Sequence, residues 1–167
     1  HGQEALNCFD QMQRDGFSAD MVTFLSVLKA CGSIGALERG KEVHAKIIEQ
    51  GILGEETTLI ANAIVDMYAK CGAVAKAQEV FDELDVWTIV SWNALIAGYA
   101  NHGYSEEAMK CYEQMLNKGF SPNAFTFASI LKACGCIGAI DKGTEIHADV
   151  MKEQLQKDVL VGGALVD

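Results

Sequence analysis

Apolar residues recur every three or four positions in short segments along the chain. Such sets are Ala5, Cys8, Phe9 and Met12; Ala77, Val80, Phe81 and Leu84; and Ala108, Cys111, Tyr112, Met115 and Leu116. This spacing places the apolar side chains on one face of an α-helix. The second and third sets each follow a more continuously apolar segment that closes at a Cys-Gly or His-Gly pair. The pattern therefore predicts helix pairs, each with an apolar first helix and an amphipathic second helix.

Glycines mark the predicted turn between the two helices of a pair. We expect left-handed helix caps there, because glycine adopts that conformation without a steric penalty. The glycines in question are Gly32, Gly72, Gly103 and Gly135. Cys31, Cys71 and Cys134 directly precede three of them and are interpreted as equivalent positions.

The chain repeats itself at long range. Residues 119–150 (GFSPNAFTFASILKACGCIGAIDKGTEIHADV) align without a gap to residues 16–47 (GFSADMVTFLSVLKACGSIGALERGKEVHAKI), 103 positions earlier. We divide the chain into a half unit at 1–20, units at 21–57, 58–88, 89–123 and 124–158, and the start of another unit at 159–167. Units of 31 to 37 residues predict an all-α solenoid over 1–167, in which stacked antiparallel helix-turn-helix repeats bury their apolar faces on their neighbours.

Composition limits the kinds of partner. The 167 residues carry a net charge of −10 at pH 7, which counts against nucleic-acid binding driven mainly by charge but leaves a locally basic groove open. No apolar run reaches the roughly 20 residues of a membrane-spanning helix, so no membrane partner is expected. The chain starts without Met in the middle of a unit, and we interpret it as a segment of a longer protein. Uncapped apolar faces at its two ends are expected to pair molecules artificially.

The cysteines and histidines predict structural roles. None of the six cysteines forms a C-x-x-C pair, and equivalent positions in neighbouring units should lie about 10 Å apart, too far for a disulfide. We therefore expect small buried apolar residues, with no metal site and no cofactor. His44 and His147 occupy equivalent positions and are expected to pack or to cap helices.

Three segments resemble one repeat family. Residues 89–123 (IVSWNALIAGYANHGYSEEAMKCYEQMLNKGFSPN) resemble a pentatricopeptide repeat, and IANAIVDMYAKCGAVAKAQEVFDEL within 58–88 resembles its short variant. FTFASILKACGCIGAIDKGTEIHADV within 124–158 resembles the long variant. The order long, short, standard and long is similar to the plant-type PLS subclass. A tetratricopeptide repeat would instead show a constant period of about 34 residues and its own Trp, Leu-Gly and Pro pattern.

This resemblance implies a right-handed solenoid that binds single-stranded RNA, about one nucleotide per repeat. It also implies a role in organellar RNA processing or C-to-U editing, in a mitochondrion or chloroplast. The alternative is a helical scaffold that binds editing helper proteins or other proteins, which the acidic charge favours. Proteins of this subclass often end in a deaminase-like domain, but this chain has neither H-x-E nor C-x-x-C and is expected not to be an enzyme by itself.

The resemblance also implies which residues recognise a base. In the family, the fifth and last residues of a repeat select the base, and the second residue packs against it. The best-formed set is Asn93 with Asn123 and Val90, and an Asn–Asn pair favours pyrimidines, cytosine ahead of uracil. The other sets are Asn62, Thr88 and Leu59 in the short unit; Val22 with Glu55 and Phe125 with Asp158 in the long units; and Asp20 as the last residue of the half unit.

Several of these residues have plainer interpretations. Leu25 and Ala128 occupy the fifth place in the long units and cannot hydrogen-bond a base. Asn93 is alternatively a residue that satisfies backbone groups at the start of its helix. Lys29, Lys70 and Lys132 either contact phosphates or stabilise the carboxyl ends of first helices. Phe24, Trp92 and Phe127, which directly precede the fifth residues, are expected in the core.

Overall fold

The computed structural model describes residues 1–52, 58–155 and 157–166, and these form ten helices without a β-strand. The helices are α1 (Gly2–Arg14), α2 (Met21–Ile34), α3 (Leu37–Glu49), α4 (Thr58–Lys70), α5 (Val74–Asp82), α6 (Ile89–Asn101), α7 (Ser105–Asn117), α8 (Ala124–Ile137), α9 (Ile140–Lys152) and α10 (Val159–Val166). Within those ranges, no helix has the length and apolarity needed to cross a bilayer.

The helices form two compact units, His1–Trp87 and Thr88–Asp167. In the first unit, α2 packs against α1, α3 and α4, and α4 also packs against α3 and α5. In the second unit, α8 packs against α6, α7, α9 and α10, and α6 also packs against α7. The first helices α2, α6 and α8 thus each contact their own second helix and the next first helix of their unit. The prediction of an all-α fold of stacked helical hairpins is confirmed.

The cores are built from the apolar first helices. Phe24 and Leu28 of α2 and Ile60 of α4 are fully buried in the first unit. Trp92 of α6 and Phe127 of α8 are at most 2 % exposed in the second. Burial of large side chains such as these contributes about 1.5–3 kcal/mol each. The prediction that Phe24, Trp92 and Phe127 lie in the core is confirmed.

In the two long units, the first helices end at different glycines from those predicted. Gly72 and Gly103 follow α4 and α6 with positive φ of 78° and 82°, as predicted. Gly32 and Gly135 lie inside α2 and α8, so their prediction as caps is wrong. Gly35 and Gly138 end these helices instead, with φ of 68° and 65°.

The cap glycines were predicted wrongly because two similar sequence strings lie one helical turn apart in the long and short units. LKACG in the long units resembles YAKCG in the short unit, but each cap glycine is the fifteenth residue counted from the start of its first helix. Cys31 and Cys134 therefore lie one turn earlier in their helices than the position that Cys71 holds. The interpretation of these cysteines as equivalent is therefore wrong for Cys71, while Cys31 and Cys134 do hold the same helix position.

Candidate nucleic-acid interface

The residues predicted to end each repeat cap the helix that follows. The Asp20 carboxylate accepts the backbone N–H of Thr23 at 2.8 Å and its hydroxyl at 2.6 Å. Those hydrogen bonds hold the pKa of Asp20 below its usual value, the hydroxyl of Thr23 being the main cause. Asp158 likewise accepts the backbone N–H of Leu160 at 2.9 Å. Such caps satisfy amide groups that have no partner inside the helix. Glu55 lies outside the described residues.

Thr88 and Asn123 form capping boxes with a residue three positions later. The hydroxyl of Thr88 accepts the backbone N–H of Ser91 at 3.2 Å, while the hydroxyl of Ser91 accepts the backbone N–H of Thr88 at 2.8 Å. Asn123 and Thr126 make the same reciprocal pair, with both distances 3.1 Å. This arrangement defines the start of α6 and of α8.

The structure brings Asn93 and Asn123 together. Asn93 is the fifth residue of α6 and is 8 % exposed. Its Nδ2 donates a hydrogen bond to Oδ1 of Asn123 at 3.1 Å. The alternative, in which Asn93 satisfies backbone groups at the start of its own helix, is wrong, because its partners are side chains at the start of α8.

Thr126 completes this cluster. Its buried hydroxyl donates to Oδ1 of Asn93 at 2.6 Å and accepts the backbone N–H of Asn123. Sequence reasoning missed Thr126. The available signal was a hydroxyl three residues after several of the last residues, Thr23 after Asp20, Ser91 after Thr88 and Thr126 after Asn123.

The hydrogen bonds determine how both amides are turned. The backbone N–H of Thr126 can only donate, so the oxygen of Asn123 faces it and the Asn123 NH2 group points away. Because that oxygen also accepts from Asn93, the Asn93 NH2 group faces Asn123 and its oxygen faces the Thr126 hydroxyl. Both amide oxygens are therefore occupied.

Large apolar side chains are exposed at the second position of each first helix. Val22, Leu59, Val90 and Phe125 are between 47 and 66 % exposed. Leu160, at the same place in α10, is 55 % exposed. Val90 lies three residues before Asn93, so the two side chains share one face of α6. The second position of the first helices thus carries an exposed apolar side chain in both units.

The other fifth positions differ in chemistry. Asn62 is buried in α4 of the first unit, and Thr88 begins α6 of the second. Their joint action on a base stays a prediction. Leu25 and Ala128 are half-buried in α2 and α8 and carry no hydrogen-bonding group.

The three lysines are exposed and lie at two different places in their helices. Lys70 is the last residue of α4 and forms an ion pair with Asp66 at 2.7 Å. Lys29 and Lys132 lie five residues before the ends of α2 and α8, so their interpretation as cations at helix ends is wrong. Nζ of Lys132 donates to Oδ1 of Asn101 at 2.8 Å. Exposed pairs of this kind are weak, so the lysines can exchange partners.

The two equivalent histidines have different surroundings. Nδ1 of His44 lies 3.1 Å from the hydroxyl of Tyr68, and the two rings meet edge to face. Burial lowers the pKa of His44, with Lys76 adding to the shift. The packing prediction is confirmed for His44 and is wrong for His147, which is exposed.

The cysteines are free, as predicted, but not all are buried. The thiol of Cys71 approaches the carbonyl oxygen of Cys31 at 3.6 Å, because the two positions differ by one helical turn. Burial raises the pKa of Cys31 to about 11, so it stays a protonated thiol at neutral pH. Cys8 and Cys136 are exposed, so the expectation of burial is wrong for them. The described part of the chain holds no group of three potential metal ligands.

Models of pentatricopeptide repeats match three segments of this chain. The "Pentatricopeptide repeat domain" model matches residues 7–70, the "PPR repeat" model matches 60–87, and the "PPR repeat family" model matches 87–136. The order of variants typical of the PLS subclass stays a prediction.

Similar proteins are found in Arabidopsis thaliana. The pentatricopeptide repeat-containing proteins At2g13600 and At4g18520, the latter named chloroplastic, are 38 % and 39 % identical over 99 % of this chain. The matched part is 24 % and 26 % of those proteins, so the chain spans about a quarter of the curated relatives it matches. At4g19191, named mitochondrial, is 39 % identical over 90 % of this chain and 23 % of its own length.

Solved structures show the same fold. The pentatricopeptide repeat protein PPR10 in complex with an 18-nt psaJ RNA element matches with a TM-score of 0.82 at 23 % identity, over 96 % of this chain and 24 % of PPR10. The nuclear proteinaceous RNase P 2 of A. thaliana matches with a TM-score of 0.67 at 16 % identity, over 90 % of this chain and 35 % of its own. Together, the repeat models, the relatives and the fold show that the chain belongs to the pentatricopeptide repeat family.

Proposed function

We propose that this chain binds single-stranded RNA and that the 89–123 unit recognises one nucleotide. The observation that carries this proposal is the hydrogen bond between Asn93 and Asn123, 3.1 Å long, beside the exposed Val90 and Phe125. Val90 and Phe125 pack against the faces of the base, and the amide N–H groups bind its Watson–Crick edge.

The remaining units contribute unequally. Asn62 recognises a second nucleotide, with Leu59 of the same helix packing against it. The long units hold a base through Val22 and Phe125 but do not select it, since Leu25 and Ala128 offer no hydrogen bond. Asp20 and Asp158 take the place of Asn123 in their units, where each is occupied as a helix cap.

Phosphate contacts are a minor source of affinity. Lys29, Lys70 and Lys132 are exposed and bind backbone phosphates, but the chain carries a net charge of −10. The salt dependence of binding is therefore shallow, because few counterions are released. Packing of bases on apolar side chains supplies most of the affinity.

The setting is organellar. Relatives are named chloroplastic or mitochondrial, and PPR10 is solved in complex with an RNA element. The chain acts in RNA processing or C-to-U editing in one of these organelles, as a recognition module without catalytic chemistry of its own.

The test is a fluorescence anisotropy titration of eight-nucleotide pyrimidine strands against the wild-type chain and Asn93→Ala. Asn117→Ala, at the exposed end of α7, is the matched control. We expect Asn93→Ala to bind at least about fivefold more weakly, as for the loss of one hydrogen bond. Equal binding by wild type and Asn93→Ala, or no binding by either, contradicts the proposal.

The second candidate is a scaffold that binds helper proteins. The acidic charge and the apolar fifth residues Leu25 and Ala128 favour it. If the chain acts only as a protein-binding scaffold, none of the pyrimidine RNA strands should bind to it. Sedimentation velocity on the same samples separates partner binding from the predicted artificial pairing of copies.

A further inference from the structure

We infer that Thr126, which belongs to the following repeat, is a positioning residue that makes the 89–123 unit prefer cytosine to uracil. The inference rests on the proposed function. Thr126 is fully buried and acts through Asn93, so it need not touch the base itself.

The Thr126 hydroxyl is committed to Asn93. A hydroxyl has one hydrogen to donate. Its oxygen accepts the backbone N–H of Asn123 at 3.1 Å. Its hydrogen is directed to Oδ1 of Asn93 at 2.6 Å, since Oδ1 of Asn123, the other acceptor in reach, lies farther away at 3.1 Å. The only acceptor atom of the Asn93 side chain is therefore turned toward the buried Thr126 hydroxyl.

The acceptor of Asn123 is occupied as well. Its Oδ1 takes hydrogen bonds from Nδ2 of Asn93 and from the backbone N–H of Thr126, both at 3.1 Å. The amide hydrogens outside these hydrogen bonds are one on Asn93 and two on Asn123. The side chain of Asn123 is exposed. The cluster thus offers a base N–H donors, whereas each side-chain oxygen already accepts a hydrogen bond within the cluster.

A site of donors discriminates between the two pyrimidines. On the Watson–Crick edge of cytosine, O2 and N3 both accept hydrogen bonds. In uracil, N3 carries a hydrogen and must donate it. A free Asn93 oxygen would accept that hydrogen. By turning this oxygen toward its own buried hydroxyl and taking one of its two lone pairs, Thr126 disfavours the contact that would favour uracil.

Thr23 offers a matched control. It occupies the same position after Asp20 as Thr126 does after Asn123, and its hydroxyl donates to the Asp20 carboxylate at 2.6 Å. Thr23→Val removes a hydroxyl from a helix start, as Thr126→Val does, but leaves Asn93 and Asn123 unchanged.

The experiment uses eight-nucleotide uracil strands with one cytosine placed at each position in turn. The position that faces the 89–123 unit is the one whose cytosine strengthens binding to wild type but not to Asn93→Ala. At that position we expect Thr126→Val to reduce the ratio of cytosine to uracil affinity by about fivefold, the effect of one hydrogen bond. Thr126→Ser, which restores the hydroxyl, and Thr23→Val should keep the wild-type ratio.

The outcomes separate the two proposals. A purely structural role of Thr126 would weaken binding to every strand equally and leave the ratio unchanged, which would overturn the inference while Asn93→Ala still supports the proposed function. If wild type binds no strand, or Asn93→Ala behaves as wild type, the proposed function fails and the inference with it. Thr126→Ala removes the same hydroxyl without a branched side chain and replaces the valine variant if that variant does not fold.

Discussion

The amide of Asn93 in α6 donates a hydrogen bond to the side chain of Asn123 at the start of α8, 3.1 Å away. Asn123 accepts this hydrogen bond with the same oxygen that caps α8. One side chain thus caps the first helix of one repeat and binds the proposed recognition residue of the repeat before it. Substitutions that separate those two tasks give direct tests.

Asn123→Asp should separate capping from base preference. Asparagine and aspartate are about equally good helix caps, so we expect the free energy of unfolding to stay within about 0.5 kcal/mol of wild type. The carboxylate offers acceptors where the amide offered donors, so binding should shift from cytosine-containing towards uracil-containing strands. Urea unfolding and anisotropy titrations measure the two effects. Asn123→Ala is the contrasting variant, which should lose about 1 kcal/mol of stability with its cap.

Val90→Ala should weaken RNA binding without weakening the fold. Val90 is 56 % exposed, so its removal should change the free energy of unfolding by less than about 0.5 kcal/mol. Loss of apolar packing against the base should cost about 1 kcal/mol of binding free energy for all four bases alike. Val86→Ala is the control, since Val86 is 60 % exposed and lies outside the proposed site. A base-specific effect of Val90→Ala, or equal effects of the two variants, would argue against a packing role.

Substitution by alanine should have opposite effects on stability at Gly135, inside α8, and at Gly138, which caps its carboxyl end. Gly138 has a φ of 65°, so Gly138→Ala should destabilise the chain by about 1–2 kcal/mol. Gly135 lies inside α8, and a Cβ added there meets nothing within 4 Å. Gly135→Ala should therefore stabilise the helix by about 0.5–1 kcal/mol. Thermal unfolding followed by circular dichroism measures both, and equal destabilisation would contradict the placement of the cap at Gly138.

The half-buried His44 should make stability depend on pH. Burial lowers its pKa in the folded state, so the unfolded chain binds a proton more readily. The resulting contribution is present above a pH of about 6.5, the ordinary histidine value, and is lost as the pH falls through the folded-state pKa. We expect the free energy of unfolding to decrease more between pH 7 and 5 for wild type than for His44→Gln.

The matched control for this pH effect is His147→Gln, because His147 is the exposed counterpart of His44. It should retain the wild-type decrease. A decrease of the same size in His44→Gln would assign the effect to other groups.

Local signals predicted the helix pairs and their cores. The aromatic residues Phe24, Trp92 and Phe127 directly precede the fifth residues of their units, and all three are buried, as predicted. The helix ends were harder to predict, because LKACG and YAKCG look alike and lie one turn apart. Only the position of the left-handed glycine distinguishes them.

The candidate site likewise has one part that the sequence predicts and one part that it does not. Asn93, Asn123 and Val90 follow from the resemblance of the 89–123 unit to a pentatricopeptide repeat, whose fifth, last and second residues they match. The contact of Thr126 with Asn93 does not, since it joins residues 33 positions apart and depends on how α8 packs beside α6. The sequence by itself determined the periodicity, the core and the polar residues at the repeat ends, which are local properties of a helical hairpin. The tertiary structure decided which way the amides face, because a side-chain amide takes its orientation from the partners that neighbouring helices bring to it.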